Sequence, residues 1–458
     1  MSVAETAAGE SLAGIPLANS PGAALARLAG AVRRAATLAS SIAVSVAVFG
    51  LFAIQGVFLA RCLGPTARGE FATIMVWPQT LTHLGLLGIA LAVARAAAPY
   101  RISRQGFRNS RDVRRHGEGR LASGALRSGL YTGGGCMFVA IVLSVFALPS
   151  EKAYLTPLCL VAAVFLPLEH MRLGLLAVDH GAARFHRYNA CRVIAAAAFP
   201  ILLLLLWLSG VITLAWVAFA AVAAPGLGLA WLLASRRGDA LGRRPRPGPL
   251  SIIRRGRPFA AANFAAELFG RLDVMLMLWF ADLTTQGYYA AAVPAASALL
   301  VAPHTLALFS FNAGADRANT YTLRRLWLLG SGLALLQVIA AAAFCLLLPF
   351  LITLVYGEEF RPAIWPAVML TIANAMNGWA YVAEGFLQGR GLAMAGVRGR
   401  LASCAALLLA AFAGYPVFGW QAIPLAAAAG ALVSCLWMGA SVALLAASTD
   451  SVNRKGGV

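Results

Sequence analysis

From Leu38 to the end, the chain alternates long apolar runs with short polar segments rich in arginine and glycine. Most runs approach or exceed the roughly 18 residues that mark a helix crossing the hydrocarbon core of a bilayer. A helix satisfies its own backbone hydrogen bonds in lipid, so runs of this length read as transmembrane helices. The pattern predicts spans at 38–60, 71–96, 128–149, 154–178, 193–209, 212–234, 259–280, 287–312, 326–349, 363–387, 401–418 and 420–446. This is an all-α membrane protein of about 12 transmembrane helices. Six helices in 38–235 and six in 259–446 flank a basic linker at 236–258, with tails at 1–37 and 447–458.

Charge orients the spans. Of the 37 Lys and Arg residues, 30 fall in the tails and in alternate loops, above all 97–127 and 236–257. The opposite loops hold only Arg61, Arg68, Lys152 and Arg361, and Arg95, Arg172 and Arg271 lie within spans. Lysine and arginine are retained on the cytoplasmic side of membranes, so both termini read as cytoplasmic and the helix count as even. The same distribution disposes of a nucleic-acid partner, the other reading of a net charge of +20. Loops this basic also attract anionic membrane lipids. Only 12% of the 458 residues are charged and 60% are hydrophobic, against about 25% charged in soluble domains. Glu5 and Glu10 exclude a cleavable signal peptide, and Leu25 to Leu38, with Arg27, Arg33 and Arg34, reads as a short helix on the membrane surface.

A repeat divides the chain. Thr66-Ala-Arg-Gly69-Glu-Phe71-Ala72 follows helix one, and Thr284-Thr-Gln-Gly287-Tyr-Tyr289-Ala290 follows helix seven. A weaker echo pairs Asp179-His-Gly181 with Gln388-Gly-Arg390-Gly391 after the fourth helix of each half. Halves of six helices share one orientation, which predicts two six-helix lobes with pseudo-two-fold symmetry along the membrane normal.

Catalytic signatures are missing. Neither Lys152 nor Lys455 follows a glycine as a P-loop requires, and the chain has no Asp-x-Asp, Gly-x-Ser-x-Gly or His-Glu-x-x-His. The seven cysteines are scattered without Cys-x-x-Cys spacing and read as packing residues, so no metal, cofactor or catalytic residue is expected.

Charge inside a bilayer is costly and marks a partner or a water-filled cavity. Helix seven carries Glu267, Arg271 and Asp273; Glu267 and Arg271 are four apart, able to pair, whereas Asp273 points away and needs a partner or a proton. Glu169 and Arg172, three apart around His170, form a second possible pair in helix four. Arg95 and Glu384 lie near the cytoplasmic ends of their helices, placed to snorkel to the interface. The alternative is that Arg95, Arg172 and Arg271 line one cavity, where guanidinium forks bind phosphate oxygens. His83 and His304 read as packed residues.

Four segments resemble the bacterial polysaccharide flippase family, whose superfamily includes multidrug exporters and the flippase for the peptidoglycan precursor. They are Arg61-Cys-Leu63-Gly64-Pro65 through Gly69, Arg184-Phe-His-Arg187-Tyr188-Asn189, Arg271-Leu-Asp273 with Gly287-Tyr-Tyr289, and Val355-Tyr-Gly357-Glu-Glu-Phe360. The resemblance implies two lobes around a cationic cavity and alternating access. It also implies movement of an undecaprenyl-diphosphate-linked oligosaccharide from the cytoplasmic to the periplasmic leaflet of a bacterial inner membrane. Arg61, Arg95, Arg172 and Arg271 are then the candidate substrate-binding residues. Asp273, Glu267, Glu169 and Glu384 are candidates for ion coupling or charge pairing. The same resemblance implies work alongside glycosyltransferases and a polymerase. An ion-coupled drug or metabolite exporter, and a membrane-embedded polymerase or ligase, remain the competing readings.

Overall fold

A computed structural model of the chain describes residues 21–86, 88–98, 111–237, 248–315 and 323–455. The chain divides into two units, Met1–Val46 and Ala47–Val458. In the first, the described residues are helical from Pro21, and 1–20 lies outside the described residues. The second unit is the transmembrane bundle.

The described residues of the bundle are helical with short 3₁₀ turns. In the first lobe these are α1 (Pro21–Gly85), α2 (Ile89–Ala97), α3 (Arg111–Phe146), α4 (Thr156–Ala163), α5 (Phe165–Gly181), α6 (Phe185–Leu208) and α7 (Leu214–Ala234). In the second they are α8 (Pro249–Phe280), α9 (Leu283–Ser297), α10 (Val301–Ala315), α11 (Leu323–Tyr356), α12 (Ile364–Gly389), α13 (Ala393–Phe418) and α14 (Ala422–Lys455). Among the described residues, eight continuous stretches are long and apolar enough to cross a membrane; Ala43–Gly85 and Ala393–Leu445 are each long enough for two crossings. The remaining two crossings are α8 and α12, the helices that carry Glu267, Arg271 and Asp273 and Asn377 and Glu384.

Breaks between crossings have local causes. Gly64 adopts φ 71° and ψ 176°, a conformation glycine alone takes freely, and Pro65 then opens the next helical segment, so α1 folds back on itself there. The predicted span 71–96 is interrupted between Gly85 and Ile89, where Gly88 is left-handed. Asp282 caps α9 by accepting the Thr285 amide at 2.6 Å.

Helix extends beyond the apolar spans at three places. Within 97–127, α3 begins at Arg111, and Leu121, Ala122 and Ala125 are buried against α2 and α5. Its arginines hide a narrow apolar face, and the buried Glu118 is neutralised by Arg184. At the two edges of the basic segment 236–258, Arg236 is fully buried against Asp179 at 2.8 Å and α8 begins at Pro249. The C-terminal tail from 447 is helical as far as Lys455.

Candidate functional site

Along α8, Asn263, Glu267 and Arg271 recur every four residues and so share one face. That face is open, while Phe269 and Leu272 on the other side of the helix are buried. Opposite it, α1 presents Gln79 and His83, also four apart and also exposed. Arg271 Nη1 lies 3.5 Å from Gln79 Oε1, and His83 Nδ1 lies 3.9 Å from Glu267 Oε1. The His83 and Glu267 side chains keep 45% and 39% of their surface. Polar groups this accessible within membrane-spanning helices line a space between the lobes. The pairing of Glu267 with Arg271 considered from sequence does not form, because each side chain reaches across to the other lobe instead of along its own helix.

Asp273 turns away from that space. It is buried in the second lobe and accepts a 2.5 Å hydrogen bond from the Tyr289 hydroxyl. Glu169 and Arg172 neutralise each other inside the first lobe through contacts of 2.7 and 2.5 Å, with the guanidinium also near the Cys191 thiol. Gly228 admits this arginine: a Cβ there would stand 2.9 Å from Arg172 Cδ. His170 beside the pair meets Thr132 at 3.0 Å.

Glu384 does not snorkel to an interface. It is buried and receives two bonds, 3.1 and 2.9 Å, from Arg400, a fully buried arginine counted from sequence among the loop residues. Arg400 also donates to Asn377 and Ser434 and lies 4.4 Å over the Tyr381 ring. His304 packs edge-on against the same ring. Arg61 donates to the carbonyls of Val355 and Leu354 at 2.7 and 2.5 Å, capping the C-terminus of α11. Arg95 is exposed in the last turn of α2. The four candidate arginines are thus distributed rather than gathered, and Arg271 faces the space between the lobes.

Near Arg61 and Lys152 the lobes are shut, and the repeated turn does it. A Cβ on Gly69 would fall 1.7 Å from the Leu283 carbonyl oxygen, and one on Gly287 would fall 1.9 Å from that of Pro65. The two glycines therefore allow reciprocal backbone contact. Thr66 and Thr284, equivalent residues of the repeat, share a 2.8 Å hydrogen bond, and Thr73 donates to Gln286 at 3.0 Å. Lys152, read from sequence as a loop residue and not as a site residue, is buried and donates to the carbonyls of Leu278 and Ala281 and to Gln286 Oε1 at 2.7, 2.8 and 2.9 Å. All three acceptors belong to the other lobe. Beneath this clasp, Leu278 and Trp279 of α8 pack on Val76 and Trp77 of α1.

A family model described as polysaccharide biosynthesis protein matches residues 35–309, more than half of the chain. No curated protein matches the sequence significantly. Among solved structures, an inward-facing multidrug resistance MATE transporter of the MOP superfamily superposes with a TM-score of 0.69 at 14% identity, covering 87% of this chain and 94% of that one. The lipid II flippase MurJ in an inward closed conformation gives 0.69 at 12% identity, covering 88% and 87%. The eukaryotic MATE transporter AtDTX14 gives 0.65 at 13%, covering 93% and 99%. At these identities the likeness establishes the two-lobed, twelve-helix fold.

Proposed function

The chain belongs to the polysaccharide biosynthesis protein family, and on that premise we propose that it flips an undecaprenyl-diphosphate-linked oligosaccharide across a bacterial inner membrane by alternating access. The observation that carries this reading is the open polar face of Asn263, Glu267 and Arg271 against Gln79 and His83, lying between lobes that are clasped together at one end. By the distribution of basic residues the clasped end is periplasmic, so the space opens toward the cytoplasm, where such a lipid is made. Arg271 binds the diphosphate, since among the described residues its guanidinium makes a single long hydrogen-bond contact, to Gln79. Arg172 and Arg61 are engaged by Glu169 and by helix carbonyls, and of the candidate arginines it is Arg271 that faces the space between the lobes. The polar neighbours receive the sugars, and the polyprenyl tail stays in lipid. Asp273, held by Tyr289, is the coupling group if transport runs on an ion gradient.

An exporter of small molecules is the second reading, supported by the MATE structures that share the fold. Deleting the gene and extracting membrane lipids separates the two. The flippase reading predicts accumulated undecaprenyl-diphosphate oligosaccharide and lost surface polymer, restored by wild type but not by Arg271→Ala. Normal polymer with new sensitivity to toxic compounds favours the exporter.

A further inference from the structure

Three of the basic residues at the clasped end, Arg61, Arg68 and Lys152, belong to the first lobe. Among the described residues, each hydrogen bond they make goes to the second lobe. Arg61 donates to the Val355 and Leu354 carbonyls, Arg68 to the Ala290 carbonyl at 3.2 Å, and Lys152 to the Leu278 and Ala281 carbonyls and Gln286 Oε1. All of these acceptors are neutral. Two acids at the same end are spent elsewhere, Glu70 on the Tyr154 hydroxyl and Asp282 on the Thr285 amide.

Arg68 and Lys152 are the buried members of this set, 9% and 2% exposed, and Arg68 Nε has no hydrogen-bond partner among the described residues. Buried charges are normally matched by an opposite charge. Here two cations are held by carbonyl and amide oxygens instead, an arrangement that leaves their charge uncompensated while the clasp is shut. Phe71 offers the Arg68 guanidinium the face of its ring at 5.8 Å, which is again a neutral partner.

The acceptors show that the two cations stand side by side. Gln286 and Ala290 lie four residues apart on α9, which is one turn and about 6 Å along its axis. Thr73 donates to the same Gln286 oxygen as Lys152, at 3.0 Å. First-lobe donors Arg68, Thr73 and Lys152 therefore converge on one strip of the second lobe. When the lobes part at this end, the whole strip leaves them together. What remains is a set of donors carrying two positive charges and no acceptor. An anion with several oxygens, able to touch both cations at once, replaces the lost carbonyls with charge-assisted bonds, and a diphosphate has that form.

We propose that Arg68, Lys152 and Thr73 form a second diphosphate-binding site at the outer mouth, assembled as the clasp opens, to which the cargo passes from Arg271. The inference rests on the reading of the protein as a flippase of a diphosphate-linked lipid. With the clasp shut, oxygens of α8 and α9 occupy the three donors; with it open, the diphosphate does. Cargo thus takes over the bonds that opening breaks, and the returning carbonyls displace it when the lobes close again.

The test uses the full chain in vesicles, with inorganic pyrophosphate and a membrane-impermeant maleimide added outside, and reads labelling of Thr284→Cys on the peptide that carries residue 284. A ligand that binds the open clasp draws the population toward it, so saturating pyrophosphate should speed labelling about tenfold over potassium chloride of equal ionic strength. The acceleration should persist in Arg271→Ala, which places the effect at the outer mouth rather than in the central space. Arg68→Gln and Lys152→Met should each raise the half-maximal pyrophosphate concentration about tenfold, the loss of one charge-assisted contact. Arg68→Lys and Lys152→Arg should keep most of the response, which separates charge from folding. Labelling indifferent to pyrophosphate, an effect lost in Arg271→Ala, an unchanged half-maximal concentration in Arg68→Gln and Lys152→Met, or a response abolished by the charge-preserving variants would each overturn the outer site. Because the probe is pyrophosphate, such a failure with lipid flipping intact strikes this site alone and leaves the proposed function standing.

Discussion

Arg271 differs from the other intramembrane arginines in what surrounds it. Arg172 is spent on Glu169, Arg400 on Glu384, Asn377 and Ser434, and Arg61 on helix carbonyls, whereas the hydrogen-bond contact of Arg271 among the described residues is the 3.5 Å one to Gln79. Its replacement by alanine should weaken cargo binding about 10- to 100-fold, the range for losing charge-assisted hydrogen bonds, as measured by transport at limiting substrate. Arg271→Lys should restore only part, because an ammonium cannot present the guanidinium fork to a diphosphate. The Glu384–Arg400 pair predicts the opposite phenotype. Arg400→Ala leaves a buried carboxylate unpaired and should cost about 3–5 kcal/mol in thermal unfolding, while Arg400→Met with Glu384→Gln should recover most of it. Sequence revealed which helices carry charge but not how the charges are spent. Arg400 sits among other arginines in 388–400 and looked like a loop residue; only the start of α13 at Ala393 turns it into the lobe. Likewise, four-residue spacing permits Glu267 and Arg271 to pair, and it is the facing surface of α1 that draws them apart.

Among the elements, the repeated turn is both the clearest signal in the sequence and the part with the tightest geometry. Its periodic match at Gly69 and Gly287 marked the lobes, and the structure places these two turns against each other. Gly287→Ala must push a methyl group toward the Pro65 carbonyl, so it should hold the clasp apart and accelerate maleimide labelling of Thr284→Cys from the outer side while impairing transport. Lys152→Met keeps the length of the side chain and removes three inter-lobe hydrogen bonds. It should move the balance between closed and open clasp by about 10- to 100-fold toward open, read by the same labelling. What the hydrophobic pattern could not show was α3 before residue 128. There the apolar positions, Leu121, Ala122 and Ala125, are few and sit between arginines, and their burial depends on α2 and α5 rather than on lipid.

For the whole molecule, the proposed transport by alternating access makes a polar space shut at one end one half of the cycle; the other half requires the clasp to open while the basic ends approach. The lobes meet through Thr66–Thr284, Gly69–Gly287, Lys152 and the Trp77–Trp279 contact, so a cargo that binds Arg271 and Glu267 acts on the same helices, α1 and α8, that hold the clasp. Twelve spans followed from hydropathy and charge because the bilayer imposes both, and the two lobes followed from the repeated turn. Cargo identity did not, since sugars are read by the shape of a cavity assembled from distant residues. The most direct measurement is flipping in vesicles: purified protein reconstituted with a fluorescent undecaprenyl-diphosphate oligosaccharide, and a membrane-impermeant quencher added outside. The proposed flippase brings inner-leaflet label within reach of the quencher, and Arg271→Ala slows this about 10- to 100-fold. Label that stays protected in wild-type vesicles as it does in empty ones would contradict the function.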